Sequence, residues 1–132
     1  MKIKINDKEY GLHWGLGAIR IFCDLMGCEY EQGMDMILGA GDYNILQRTK
    51  AVSTMVLAAV QNYANIYNTE ADVTFPQVEA YRDDTPPEKF KLISDDFMNA
   101  NILGKTYRSY LGLSEEPADT KSKKKSPSQK SA

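Results

Sequence analysis

DYNILQRTKAVSTMVLAAVQNYANIYN, residues 42–68, contains no proline or glycine. Ile45, Thr49, Val52, Val56, Ala59, Tyr63 and Ile66 recur in steps of three and four, the spacing of one helix face. A second row, Leu46, Ala51, Met55, Leu57, Ala58 and Val60, makes the middle turns apolar almost all round. Such a helix is either the core of a domain or meets a partner on its second side. The uninterrupted run Met55 to Val60 is far short of the ~20 residues that cross a bilayer. The stretch therefore predicts a long central helix, capped by Asp42, against which the remaining elements pack.

Upstream, Ile3 and Ile5 alternate with Lys2 and Lys4, Asn6-Asp7 supplies a turn, and Tyr10, Leu12 and Trp14 alternate with Glu9, Gly11 and His13. This pattern predicts a β-hairpin over residues 2–14. A lone hairpin is marginal in water, so it must dock on helices, with Trp14 buried at the junction. Gly15 opens a helix to about Met26 with Leu16, Ile19, Phe22, Cys23 and Met26 on one face, and Gly27 caps it. A shorter helix covers Glu31 to Leu38, stopped by Gly39-Ala40-Gly41.

Downstream, Thr74-Phe75-Pro76-Gln77 has the form of a capping box and starts a helix to about Arg82 that points Phe75, Val78 and Tyr81 inward. Thr85-Pro86-Pro87-Glu88 repeats the form, with Pro86 at the favoured first helical position. A last helix is expected from Pro86 to about Leu111, with Phe90, Ile93, Phe97, Ala100, Leu103, Tyr107 and Tyr110 at helical spacing. From Ser114 no apolar residue larger than proline occurs, which predicts a disordered Lys/Ser-rich tail. The expected architecture is mainly α: an N-terminal β-hairpin on a bundle of four to five helices over residues 1–113, and a disordered tail over 114–132.

Composition narrows the function classes. The 132 residues suit one domain, and 42% hydrophobic with 26% charged residues can build a soluble core. The tail holds five lysines against three acids, so it carries +2, and the rest of the chain carries −4 of the total −2. An acidic body disfavours duplex binding, which needs clustered Lys and Arg, so nucleic acid is not the expected partner. Cys23 and Cys28 match no zinc or redox spacing and read as reduced, packed thiols. The alternating N-terminus lacks a signal-peptide core, which points to a cytosolic protein.

Candidate chemistry is sparse. His13 is the single histidine and falls on the hairpin's wet face. Asp83-Asp84 and Asp95-Asp96 are helix neighbours about 100° apart, so neither pair presents two carboxylates to one substrate. Gly15-Leu16-Gly17-Ala18-Ile19-Arg20 superficially follows a dinucleotide fingerprint, but Arg20 replaces the third glycine and no βαβ unit surrounds it. Gly39-Ala40-Gly41-Asp42 lacks the Lys-Ser/Thr of a phosphate loop, and Glu29, Glu31 and Asp35 have no metal-ligand spacing. No catalytic, cofactor-binding or metal-binding residue is expected. What stands out is six Met, eight Tyr and four Phe. Methionines fill core gaps and also grip varied apolar partners. Met34, Met36, Met55, Leu57, Val60 and Tyr67 are the candidate partner-binding residues.

The opening Met1-Lys-Ile-Lys-Ile-Asn-Asp-Lys-Glu-Tyr-Gly-Leu-His-Trp-Gly-Leu-Gly-Ala-Ile-Arg20 resembles tail assembly chaperones of long-tailed phages. Those proteins start with a hairpin of the form Ile-Asn-Gly-Lys-Glu-Tyr feeding a Phe-Gly-x-x-x-x-Arg helix. Here Asp7 stands for the turn glycine and Trp14 for the phenylalanine. The resemblance continues through the apolar central helix to residues 73–84, similar to a Thr-x-Glu-Glu-Val-x-x-Trp-x-Asp helix, and covers roughly residues 1–112. It implies a non-enzymatic, oligomer-forming protein of the host bacterial cytoplasm, absent from the mature virion, that keeps the apolar tape measure protein soluble during tail assembly. It also implies a longer second product made by frameshifting; Lys123-Lys124-Lys125 is a place where an A-rich slippery run can lie. Rival readings are a head–tail connector type adaptor with the same core, or a nucleic-acid-binding regulator using the basic tail.

Overall fold

The computed structural model describes residues 1–113; the Lys/Ser-rich segment 114–132, with its expected disorder and its lysine run, lies outside the described residues. Strands β1 (Lys2–Ile5) and β2 (Lys8–Gly11) pair antiparallel, Ile3 opposite Tyr10 and Lys4 opposite Glu9. Asn6 and Asp7 link them with φ of 52° and 63°. Two positive φ values make this a type I′ turn, whose left-handed positions Asn and Asp tolerate best after glycine. Ile3, Ile5, Tyr10, Leu12 and Trp14 all point into the core. The ladder ends at Gly11, earlier than the alternation suggests, because the next residues turn to the helices: the His13 N–H donates to the Ala59 carbonyl at 3.1 Å.

Helices α1 (Leu16–Met26) and α2 (Tyr30–Leu38) end on Gly27 and Gly39, both left-handed. The central helix α3 spans Ile45–Tyr67 and packs against α1, α2, α4 and β2. Every residue from Ser53 to Val60 is buried, as an all-round apolar stretch requires. Its N-cap is Asn44, not Asp42: the Asn44 side chain accepts from the Gln47 N–H and the Gln47 side chain accepts from the Asn44 N–H, each at 2.9 Å. The spacing Asn44-Ile-Leu-Gln47 is itself a capping box, whereas Asp42 is two residues too early. At the ends of α3 the apolar row leaves the core: Ile45, Leu46 and Ile66 are exposed, as is Leu16 on α1.

Helix α4 (Phe75–Asp84) begins with the expected box on Thr74 and Gln77 and buries Val78. The second expected box does not form. The Thr85 hydroxyl bonds back to the Tyr81 carbonyl, Pro86 is the N-cap, and α5 (Pro87–Met98) starts one residue later with Pro87 in its first turn. The long terminal helix is also interrupted. After Met98 come two short paired strands, β3 (Asn101–Ile102) and β4 (Lys105–Thr106), then a single helical turn, α6 (Tyr107–Tyr110). Leu103 and Gly104 form the turn with φ of 53° and 86°. The apolar spacing across residues 97–110 is helical, but Gly104 favours a tight turn over a helix interior.

Two polar ties fix this arrangement. The Tyr10 hydroxyl donates to Asp72 at 2.7 Å and the Lys8 ammonium to the same carboxylate at 3.0 Å, holding the hairpin to the loop after α3. These hydrogen bonds, Tyr10 first, hold the Asp72 carboxyl below its ordinary range. The Tyr30 and Tyr107 hydroxyls lie 2.7 Å apart, tying the start of α2 to α6.

Candidate partner-binding groove

An opening lined mostly by apolar side chains runs between α5 and the α2–α3 pair. It is lined by Val52, Met55 and Val56 of α3, Ile37 and Leu38 of α2, Phe90, Ile93, Ser94, Phe97 and Met98 of α5, and the buried Trp14. Its volume is about 370 Å³, within the ~300–1,000 Å³ of sites that take small ligands or a few side chains. Sequence periodicity explains the lining: Val52 and Val56 are one turn apart, and Phe90, Ile93 and Phe97 follow at three and four. Ile45 and Thr49 precede Val52 on the same helix row, outside the groove lining, and Ile45 is 72% exposed.

Arg82, in the last turn of α4, is the one charged residue lining the groove. Its guanidinium donates from one nitrogen to the Thr49 carbonyl and the Ser53 hydroxyl, both at 3.1 Å. The guanidinium carbon lies 4.7 Å from the Phe90 ring centroid, a cation–π contact. No carboxylate forms an ion pair with Arg82 among the described residues. Burial pulls its pKa down, opposed by the charges of Asp83 and Glu79. Arg82 stays a cation, since guanidinium ionises far above neutrality.

The six residues singled out from the sequence divide unevenly. Met34, Met36, Met55, Leu57 and Val60 are buried in one core cluster, packed against side chains of this same chain. Of these only Met55 borders the groove. Tyr67 is exposed, its ring stacked on Tyr63 at 4.5 Å between centroids. Arg82, Phe90, Ser94 and Ile45 are the residues that sequence reasoning did not bring together. Their rows were legible separately, on α3 and α5, but nothing local says that the two helices stand apart.

The other chemical candidates find structural surroundings. His13 is exposed, its ring edge toward Tyr67, while its carbonyl accepts from the Asn62 side chain at 3.0 Å. Cys23 and Cys28 are free thiols whose pKa values burial raises; neither is primed as a thiolate nucleophile at neutral pH. Asp95 pairs with Lys91 at 2.9 Å and Asp96 accepts from the Trp14 indole at 2.8 Å, so the neighbours serve different partners. Among the described residues no group of three or more His, Cys, Asp or Glu side chains is placed to hold a metal ion. No helix among them is long and apolar enough to cross a membrane.

No family model, curated protein or solved structure matches the chain.

Proposed function

We propose that this protein is a non-catalytic phage tail assembly chaperone that covers apolar helical segments of the tape measure protein. The observation that carries the reading is the apolar groove between α5 and α2–α3, open at the surface, with exposed Ile45 on the same helix row of α3. An apolar cleft of this shape accepts side chains at i, i+3/i+4 and i+7 of a partner helix. Long apolar helical clients aggregate unless their exposed faces are covered. The order of hairpin, apolar central helix and capped fourth helix, which resembles that chaperone family, supports the same reading. On it the protein works in the host bacterial cytoplasm, assembles as a homo-oligomer around its client, includes a frameshifted longer form, and is absent from the finished virion.

The test is co-expression with the tape measure protein of the same genome. The client is expected to be soluble and to co-purify with this chain. Ser94→Trp, an exposed position on the groove wall, plugs the cleft and is expected to abolish co-purification while leaving the circular dichroism spectrum unchanged. Leu25→Ser, an exposed position on α1, serves as control and is expected to retain the client. A client equally soluble without the chain, or recovery unaffected by Ser94→Trp, sinks the proposal. Abundant chain in purified virions favours the head–tail adaptor reading instead.

A further inference from the structure

Resting on that groove reading, we infer that Arg82 makes the groove selective for apolar helical segments that carry one acidic side chain beside their apolar anchors. A guanidinium has five N–H donors in a planar fork. One nitrogen of Arg82 already serves Thr49 and Ser53, and the guanidinium carbon lies 4.7 Å from the Phe90 ring centroid, so the group is held from two sides. The donors on the other two nitrogens have no hydrogen-bond partner among the described residues and lie at the edge of an apolar cleft. Asp83 and Glu79 act on the guanidinium only as nearby charges and make no ion pair with it; an arriving carboxylate would satisfy the fork with charge-assisted bonds. The remainder of the body is acidic, so this cation is the feature that distinguishes the groove electrostatically. A lysine in the partner is correspondingly rejected by like charge.

The occupant is a helix segment and not a lipid chain because the apolar row runs on past Arg82 to exposed Ile45. An acidic residue flanked by anchors on both sides spans Val52–Val56 on one side of the guanidinium and Ile45 on the other. A fatty acid, with its carboxylate at one end, leaves the Ile45 end empty.

Trp14 is the only tryptophan of the chain and lines the groove, so its fluorescence reports occupancy directly. The experiment titrates the full chain with three tryptophan-free helical peptides that share Leu and Phe anchors and differ at one flanking position: Glu, Gln or Lys. The Glu peptide is expected to bind about tenfold tighter than the Gln peptide, and the Lys peptide weaker still. The Glu preference is expected to shrink in 1 M salt and to disappear in Arg82→Gln. Since Arg82→Gln also removes the tie to α3, the wild-type peptide series decides on its own. Equal affinity for the Glu and Gln peptides overturns the inference, and leaves the chaperone reading standing if Ser94→Trp blocks both. Binding of no peptide overturns the inference, while client co-purification separately decides the reading beneath it. Sodium laurate binding tighter than the Glu peptide overturns it in favour of a lipid.

Discussion

The Trp14 indole N–H donates to the Asp96 carboxylate at 2.8 Å across 82 positions of sequence, and the indole meets the Phe97 ring edge-on at 5.2 Å. This pair joins the end of the hairpin to α5, the wall of the groove. Asp96→Leu removes the acceptor and strands a buried donor, at a cost of about 1–3 kcal/mol. Urea unfolding should show the midpoint falling at unchanged slope. Asp96→Asn, which keeps an acceptor, should lose less. Equal midpoints for wild type and Asp96→Leu would mean that water serves the indole.

Gly17 and Asn62 set the distance between α1 and α3. A Cβ at Gly17 would overlap the Asn62 carboxamide, which cannot step aside while its nitrogen holds the His13 carbonyl. Gly17→Ala is therefore expected to destabilise by about 1–3 kcal/mol through overpacking, despite alanine's better helix propensity. In combination with Asn62→Ala the alanine methyl has room, so the double variant should be more stable than the sum of the single losses predicts. A double-mutant cycle in urea measures that coupling. Strict additivity would contradict the close approach.

The start of α3 separates two residues that look equally able to cap it. Asn44→Ala should cost about 1 kcal/mol, because both arms of the capping box are lost. Asp42→Ala should leave the unfolding midpoint unchanged within about 0.5 kcal/mol. Gln47→Ala, which removes only the return arm, should fall between them. The reverse ranking would place the helix start at Asp42.

That contrast shows where the fold was legible and where it was not. The middle of α3 was readable because eight consecutive buried positions, Ser53 to Val60, leave a continuous record of small and apolar residues. Gly27 and the Thr74–Gln77 box were readable because each is a local hydrogen-bonding unit. Residues 97–110 misled because Phe97, Leu103 and Tyr107 keep helical spacing although Leu103 is exposed at a turn. Only Gly104 marked the break. The groove was hidden for a different reason. Its two walls are separate amphipathic patterns, and the distance between α3 and α5 is set by packing, not by either pattern. Arg82 entered the sequence reading only as the approximate end of a helix, since no local signal shows that its guanidinium reaches α3 and the Phe90 ring.

Tyr107 makes the stability fall on the alkaline side. Burial, and next the hydrogen bond with Tyr30, raise its pKa far above the ordinary tyrosine value. A raised folded-state pKa means that the unfolded chain releases this proton first as pH increases. The contribution is thus fully present below about pH 10, the unfolded tyrosine value, and is lost as pH rises above it, by at most about 1.4 kcal/mol per pH unit for one group. Tyr10 and Lys8 are shifted in the same direction through Asp72, so the wild-type decline is shared among three groups. Tyr107→Phe keeps the ring packed on Phe97, 4.7 Å between centroids, and removes only one ionisation. Unfolding midpoints at pH 8, 10 and 11 should therefore decline less steeply in Tyr107→Phe than in wild type, after a constant loss from the missing Tyr30 bond. Parallel declines would show that the Tyr107 hydroxyl titrates alike in the folded and unfolded chain.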